Sequence, residues 1–399
     1  MSDKVFCIVP WVHLHVWPNG QAYPCCLTSW NHPVGNINQT PMIDVWNSDG
    51  MKQLRKNIIA GVPSDSCSRC YECEENGGRS HRQNLNDDYK HRFHEVEETH
   101  SDGTVDEMSL SYYDIRFSNF CNFKCRTCGP ELSSGWYEDS VALGHIPDTA
   151  KKFIRLHETP DQVWEEIAPH LSKVEKIYFA GGEPLLIDEH YKILKYLIAN
   201  NQTDVFLGYN TNFSTLKYKD NNCLELWKHF SKVYIGVSLD GYGEIGEYIR
   251  DGLVWSRLED NIRQFKAALP NADLIISCTL SIFNALHMPE FHRYMVDQGL
   301  IKPGDWDVNI LLYPEHYRIQ MLPDQYKDEF FKKYQDTIDW LEQNTTLSRA
   351  ADGYRAAMAA VKNAPPVPPE RLTKFRALTA QLDQLRKQDF ATTFKGYNI

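Results

Sequence analysis

The sequence is short of three features that would settle its class at once. No apolar run approaches the ~18 residues of a membrane span. Positive charge is in deficit, with 42 Lys and Arg against 53 Asp and Glu and a net of −11. A general grip on nucleic-acid phosphates is therefore not expected. The opening stretch, MSDKVFCIVPWVHLHVW, has one basic residue, and two histidines and a proline interrupt its apolar residues. That does not read as a secretory leader. The expectation is a cytoplasmic protein with no membrane partner. With 399 residues, 42% hydrophobic and 24% charged, the chain can bury a large core and is not disordered overall.

What the chain has in quantity is cysteine. There are eleven: Cys7, Cys25, Cys26, Cys67, Cys70, Cys73, Cys121, Cys125, Cys128, Cys223 and Cys278. Nine fall in the first third of the chain. An odd count in a reducing compartment argues against a disulfide framework and for metal or redox chemistry.

Residues 1–85 read as a first domain. Short strand signals flank Pro18-Asn19-Gly20, whose Asn-Gly pair favours a tight hairpin. A helical stretch and a loop rich in Cys and Gly follow. Residues 86–109 are polar and read as a linker. Between 110 and 320, six apolar runs alternate with helical stretches: YYDIRFSN (112–119), KIYFAGG (176–182), VFLGYNTN (205–212), VYIGVSLDG (233–241), LIISCTLS (274–281) and DVNILLYP (307–314). Their β-branched and aromatic content suits parallel strands buried on both faces. Six β/α units predict an α/β fold, either a barrel or an open doubly wound sheet. Polar motifs sit at the C-terminal strand ends, where such folds place ligands. Residues 321–399 read as helices. The last of them carries Arg371, Lys374, Arg376, Arg386 and Lys387, a pattern usual for a solvated face.

The strongest chemical signal is Cys121-Asn-Phe-Lys-Cys125-Arg-Thr-Cys128, directly after the first of the six strands. Three thiolates can hold three irons of a four-iron cluster and leave the fourth iron open. A zinc site with a distant fourth ligand is the alternative on spacing alone. A second set comprises Cys7, then Gly20-x4-Cys25 with Cys26, then Cys67-x2-Cys70 with Cys73. Cys7 and Cys25 flank the predicted hairpin and can point to one spot. Four thiolates there suit structural zinc or a complete four-iron cluster, and Cys26 and Cys73 are surplus. Gly241-Tyr-Gly243-Glu-Ile-Gly246 fits G-x-G-x-x-G, with Asp260 downstream. It follows the fourth strand rather than the first, the wrong place for a dinucleotide fold. His13 and His15 alternate as one face of a polar hairpin. Cys278 reads as a small core residue, and Cys223 is isolated.

C-x3-C-x2-C after the first of six β/α units resembles the radical S-adenosylmethionine (radical SAM) superfamily, and four further segments match in order. Gly181-Gly182-Glu183-Pro184 is similar to the segment that binds the amino group of SAM. Asn212, ending YNTN, is similar to the third-strand motif near the cofactor. Ser238 in VSLDG resembles the fourth-strand serine that contacts SAM, and Arg250 in EYIRDG the arginine that meets its carboxylate. Thr127 departs from the family's aromatic residue before the last cysteine. The second set resembles the auxiliary-cluster twitch or SPASM module, here ahead of the barrel rather than after it.

The resemblance implies a partial (β/α)6 TIM-like barrel, a small N-terminal cysteine-rich α/β domain and C-terminal helices. It implies a [4Fe-4S] cluster on Cys121, Cys125 and Cys128, and S-adenosylmethionine held by Gly181, Gly182, Glu183, Asn212, Ser238 and Arg250. An auxiliary [4Fe-4S] cluster would take Cys7, Cys25, Cys67 and Cys70. The activity implied is reductive cleavage of SAM, fed by a donor such as flavodoxin or ferredoxin, then hydrogen abstraction from a substrate. A small molecule and a net oxidation are the first reading, and a peptide- or protein-modifying enzyme is the second. A non-catalytic zinc or iron–sulfur interaction or sensing protein is the rival from another class.

Overall fold

The computed structural model describes residues 4–75, 77–397 and 399. The fold is mixed α/β with a largely parallel central sheet, consistent with a partial TIM-like barrel. The chain divides into two compact units. One is Met1–Asn119 with Phe153–Gly208 and His229–Lys232; the other is Phe120–Lys152 with Tyr209–Lys228 and Val233–Ile399. This division cuts across the expected boundaries at 85, 109 and 320, for a reason found in the pairing of the first strand.

In the first unit, β1 (His13–Val16) runs antiparallel to β2 (Gln21–Tyr23), which pairs with β3 (Gly35–Asn36). The predicted turn joins β1 to β2. Gly20 adopts φ +83°, and the Asn19 side chain accepts from the Gln21 amide at 3.1 Å. On its other side β1 lies parallel to β4 (Tyr112–Ile115), with His15 opposite Asp114. β4 is in turn parallel to β5 (Lys176–Phe179), and the start of β6 (Phe206–Thr211) follows. The cysteine-rich segment thus donates a strand to the sheet that the barrel strands build.

The expectation that His13 and His15 line a polar hairpin face is corrected by this pairing. A strand flanked on both sides is an interior strand, and all four residues of β1 are buried. Polar groups buried there need partners. His15 Nδ1 pairs with Asp114 at 2.8 Å, and His13 Nδ1 bonds the Tyr112 carbonyl at 3.0 Å. Burial pushes the Asp114 carboxyl up, but His15 and Arg116 together pull it below the usual carboxylate range. Residues 86–109 also differ from a linker. They carry the end of the helix His81–Asp88 and the turns Lys90–Arg92 and His94–Glu97. Arg92 pins them, meeting Glu95 at 2.7 Å, Glu175 at 2.6 Å and Ser109 at 3.1 Å. Arg92 and Glu95 are spent on this pairing, while most of the segment's other charges stay exposed.

The second unit takes the rest of β6, then β7 (Val233–Ser238), β8 (Asp273–Leu280) and β9 (Trp306–Ile310), with β7, β8 and β9 parallel in that order. β4 to β9 coincide with the six apolar runs of the sequence. Helices Lys327–Asn344, Ser348–Lys362 and Pro369–Arg386 complete the unit. The last is not solvated throughout, since the Arg386 side chain is 0% exposed. Among the described residues no helix is long and apolar enough to cross a membrane.

Burial holds several imidazoles neutral. His190 and His292 are lowered to about 3 and His287 to about 4, each chiefly by loss of solvent. Their folded values lie below the unfolded value, so the unfolded chain binds more protons below about pH 6.5, and stability falls as pH drops through that window. Each such histidine is expected to cost about 2 kcal/mol between pH 7 and pH 5, at about 1.4 kcal/mol per unit. Urea midpoints at the two pH values should therefore differ less in His190→Gln than in the wild type.

Candidate active site

The C-x3-C-x2-C loop lies in the second unit and is held through its own backbone. Lys124–Cys125 forms a two-residue antiparallel ladder with Arg250–Asp251, Cys125 standing opposite Arg250. Three successive carbonyls then find side-chain donors. Ser133 Oγ donates to Phe123 O at 2.5 Å, Arg386 Nη1 to Lys124 O at 2.7 Å, and Trp136 Nε1 to Cys125 O at 2.8 Å. Buried carbonyls require this. The Arg126 amide donates to Ile249 O at 2.8 Å, and the Cys128 amide closes a turn on Cys125 O at 3.0 Å. Gly252 makes the ladder's close approach feasible. It sits at φ +108°, where a Cβ would come within 2.8 Å of the Asn122 carbonyl.

Two of the predicted cofactor-binding residues contact this loop from other elements. Asn212 Nδ2 reaches Cys121 Sγ at 3.9 Å and Asn122 Oδ1 at 2.9 Å. Arg250 Nη1 reaches Cys125 Sγ at 3.6 Å, while its other nitrogens take Asp240: Nε to Oδ2 at 2.9 Å and Nη2 to Oδ1 at 3.1 Å. Asp240 is itself fixed, accepting from the Thr279 amide at 2.8 Å. Burial alone would weaken the charge on Arg250, but Asp240 more than offsets it and raises the guanidinium. Burial likewise raises the thiols, Cys128 to about 12 with Cys125 adding to the rise. Cys125 is also raised, although Arg250 opposes burial there. Neutral thiols of this kind release protons when a metal takes them. Ser238 is half-buried at the end of β7, opposite Ser277.

Gly181, Gly182 and Glu183 lie in the first unit, just past β5. Gly181 has φ +120°, and a Cβ there would meet Arg116 Cβ at 3.2 Å. The Gly182 amide donates to Ser118 O at 3.1 Å. Glu183 is 2% exposed, and its carboxylate caps the turn Pro184–Leu186 by accepting the Leu185 amide at 3.1 Å. A buried acid therefore stands at a strand's C-terminal end.

The second cysteine set converges, also within the first unit. Cys7, Cys25, Cys67 and Cys70 line one cavity with His81 and Arg82. The hairpin brings the first pair, and the helix Ser68–Glu75 with the turn before it brings the second. Burial lifts Cys67 to about 11, with Cys70 adding to the rise. Cys26 lies beside the cavity, its Sγ 3.9 Å from His81 Nε2. A hydrogen bond between adjacent thiols holds Cys25 well above the usual thiol range and Cys26 well below it.

Donor spacing tests what these sites suit. A tetrahedral zinc with Zn–S near 2.3 Å brings its sulfurs to within about 4 Å of one another. Among the described residues, the group with ligand atoms all within 4.8 Å is Cys25, Cys26 and His81. Neither Cys121/Cys125/Cys128 nor Cys7/Cys25/Cys67/Cys70 forms so tight a group. By the number and chemistry of their thiols both sets are of the kind that holds iron–sulfur clusters. The G-x-G-x-x-G segment has a packing role instead, since a Cβ on Gly246 would fall 2.3 Å from Gly241 O. Cys278 is fully buried, 3.6 Å from Asn284 Nδ2, and Cys223 is buried too. Asp240, Trp136, Ser133 and Arg386 were not anticipated. Asp240 had a signal, lying inside VSLDG, while Arg386 had none.

Residues 115–284 match the radical SAM superfamily, and residues 7–74 match SPASM, an iron–sulfur cluster-binding domain. The first domain implies a [4Fe-4S] cluster and SAM, the second auxiliary iron–sulfur clusters. No curated protein matches the chain. Among solved structures it is similar to native anSMEcpe with bound AdoMet and the Cp18Cys peptide, at 18% identity and TM-score 0.38 over 56% of each chain. It is also similar to histidine-tagged anSMEcpe with bound AdoMet, at 20% identity and TM-score 0.40 over 57% of each. The chain therefore spans somewhat over half the length of these structures.

A side chain at Gly252 should open the ladder behind Cys125. Gly252→Ala is expected to cost roughly 2–3 kcal/mol, from backbone strain and the carbonyl contact. A lowered thermal midpoint and reduced iron per chain would check it.

Proposed function

We propose that this chain, which belongs to the radical SAM superfamily and carries a SPASM domain, is an enzyme that oxidises a small molecule by hydrogen abstraction. Cys121, Cys125 and Cys128 would hold the radical SAM cluster, and Cys7, Cys25, Cys67 and Cys70 the auxiliary one. The chemistry of the first would be the one-electron reductive cleavage of SAM, with a flavodoxin- or ferredoxin-like protein as donor.

The chain's own residues bind and orient. The observation that carries the reading is Arg250, aligned by Asp240 and set 3.6 Å from Cys125 Sγ. A cation fixed beside a cluster thiol is suited to the carboxylate of SAM, because a guanidinium already oriented loses little entropy on pairing. Glu183 would accept the amine, and Asn212 and Ser238 would position the nucleoside side. Glu183, Asn212 and Arg250 are each buried, which limits the water that competes for their polar groups. When it holds its cluster, the four-thiol site would supply the one-electron acceptor that a net oxidation needs. On the C-terminal helix Arg386 is spent inside its unit, while Arg371, Lys374, Arg376 and Lys387 stay exposed, so a peptide-modifying enzyme is the second reading.

Protein purified without oxygen should be brown, contain iron and sulfide, and form 5′-deoxyadenosine from SAM and a strong reductant. The Cys121→Ala/Cys125→Ala/Cys128→Ala variant should lose this activity and keep about one cluster's worth of iron. Colourless, zinc-loaded wild-type protein would reject the proposal.

A further inference from the structure

The end of the helix Pro369–Arg386 packs on the residues that flank Cys125. Arg126, 0% exposed, pairs with Asp383 and donates to Gln388 Oε1 at 2.8 Å. Asp383 also accepts from Tyr248 Oη at 2.7 Å and the Phe390 amide at 2.8 Å. The helix can place both partners because Lys387 turns left-handed at φ 54°, which brings Gln388 back toward Asp383. On the other side of Cys125, Arg386 takes the Lys124 carbonyl at 2.7 Å. Its guanidinium lies 4.5 Å over the ring of Trp136, which in turn holds the Cys125 carbonyl.

Charge is gathered at the same place. Arg386 Nε meets Asp139 at 2.8 Å and Asp251 at 3.6 Å. Lys124 Nζ meets the same two carboxylates at 3.4 and 3.3 Å. Two cations and two anions balance, with Arg386 and Asp139 buried and Lys124 and Asp251 partly exposed, and such a set adds little net stability. Its value lies in what it does locally. It holds the backbone at Lys124, one residue before Cys125, and it places a buried cation close to a thiolate-bound centre. The potential of an iron–sulfur cluster responds to nearby charge and hydrogen bonding.

We infer that Arg386, from the far C-terminus, is a positioning residue of the radical SAM cluster. It fixes Cys125 through the Lys124 carbonyl and sets the local charge against which the cluster is reduced. This rests on the assignment of Cys121, Cys125 and Cys128 to that cluster.

The test is an EPR-monitored redox titration of the anaerobic holoprotein, with neither SAM nor substrate. Arg386→Gln removes a cation and leaves Asp139 and Asp251 less compensated, so the midpoint should move negative. Asp251→Asn removes an opposing anion, so the midpoint should move positive. Arg386→Lys keeps the charge and should recover the midpoint in part, with an altered spectrum because the planar fork is lost. Arg376→Gln, an equal charge change elsewhere on the same helix, should leave midpoint and spectrum unchanged. Unmoved midpoints in both Arg386→Gln and Asp251→Asn would overturn the inference while the cluster assignment stands. If Arg386→Gln fails to fold, the Asp251→Asn midpoint decides alone, because that carboxylate is 27% exposed and its loss is mild. The midpoint followed is that of the signal lost when all three loop cysteines are alanine; if that triple variant keeps both cluster signals and still cleaves SAM, the assignment falls, and the inference with it.

Discussion

The loop that carries Cys121, Cys125 and Cys128 satisfies its carbonyls with side-chain donors. Around Cys125 the backbone is short of regular partners, because the ladder with Arg250–Asp251 is two residues long. Ser133, Arg386 and Trp136 supply the missing donors from three separate places in the chain. Each unmade bond in a buried setting costs roughly 1–3 kcal/mol. The loop's conformation, the placement of Arg250 and the use of the C-terminal helix all follow from this requirement.

Each thiol set has its supporting cast within its own unit. The second unit holds Cys121, Cys125 and Cys128 together with Asp240, Arg250 and Arg386. The first holds Cys7, Cys25, Cys67 and Cys70 together with His81 and Arg82. The supporting charges differ in kind. Around Cys125 they are compensated cation by cation. In the cysteine-rich segment Arg82 stands paired with Glu74 and donates to Phe6 O at 2.6 Å, one residue before Cys7. A guanidinium thus buttresses the backbone next to a cysteine in both units.

The six strands, the hairpin and the thiol sets were legible because each rests on local pattern: near-continuous apolar runs, Asn-Gly, and cysteine spacing. Gly181 was legible as part of a motif, and its φ of +120° supplies the physical reason. What local pattern could not show was long-range pairing. His13 and His15 read as a polar face because alternation speaks of one covered side, whereas β4 covers the other from about a hundred residues away. Arg386 read as part of a charge run, since sequence does not distinguish a lysine in water from an arginine buried on a carbonyl. Residues 86–109 read as a linker for the same reason: paired and solvated charges have the same composition.

The parallel pairing of β1 with β4 has a consequence for how the molecule can be divided. A fragment beginning at residue 110 would expose the whole flank of Tyr112–Ile115, four buried residues with unsatisfied ladder groups. Such a raw edge invites pairing between copies. The cysteine-rich segment is therefore no detachable cartridge. It seals the sheet, and excising it trades a covered edge for a sticky one.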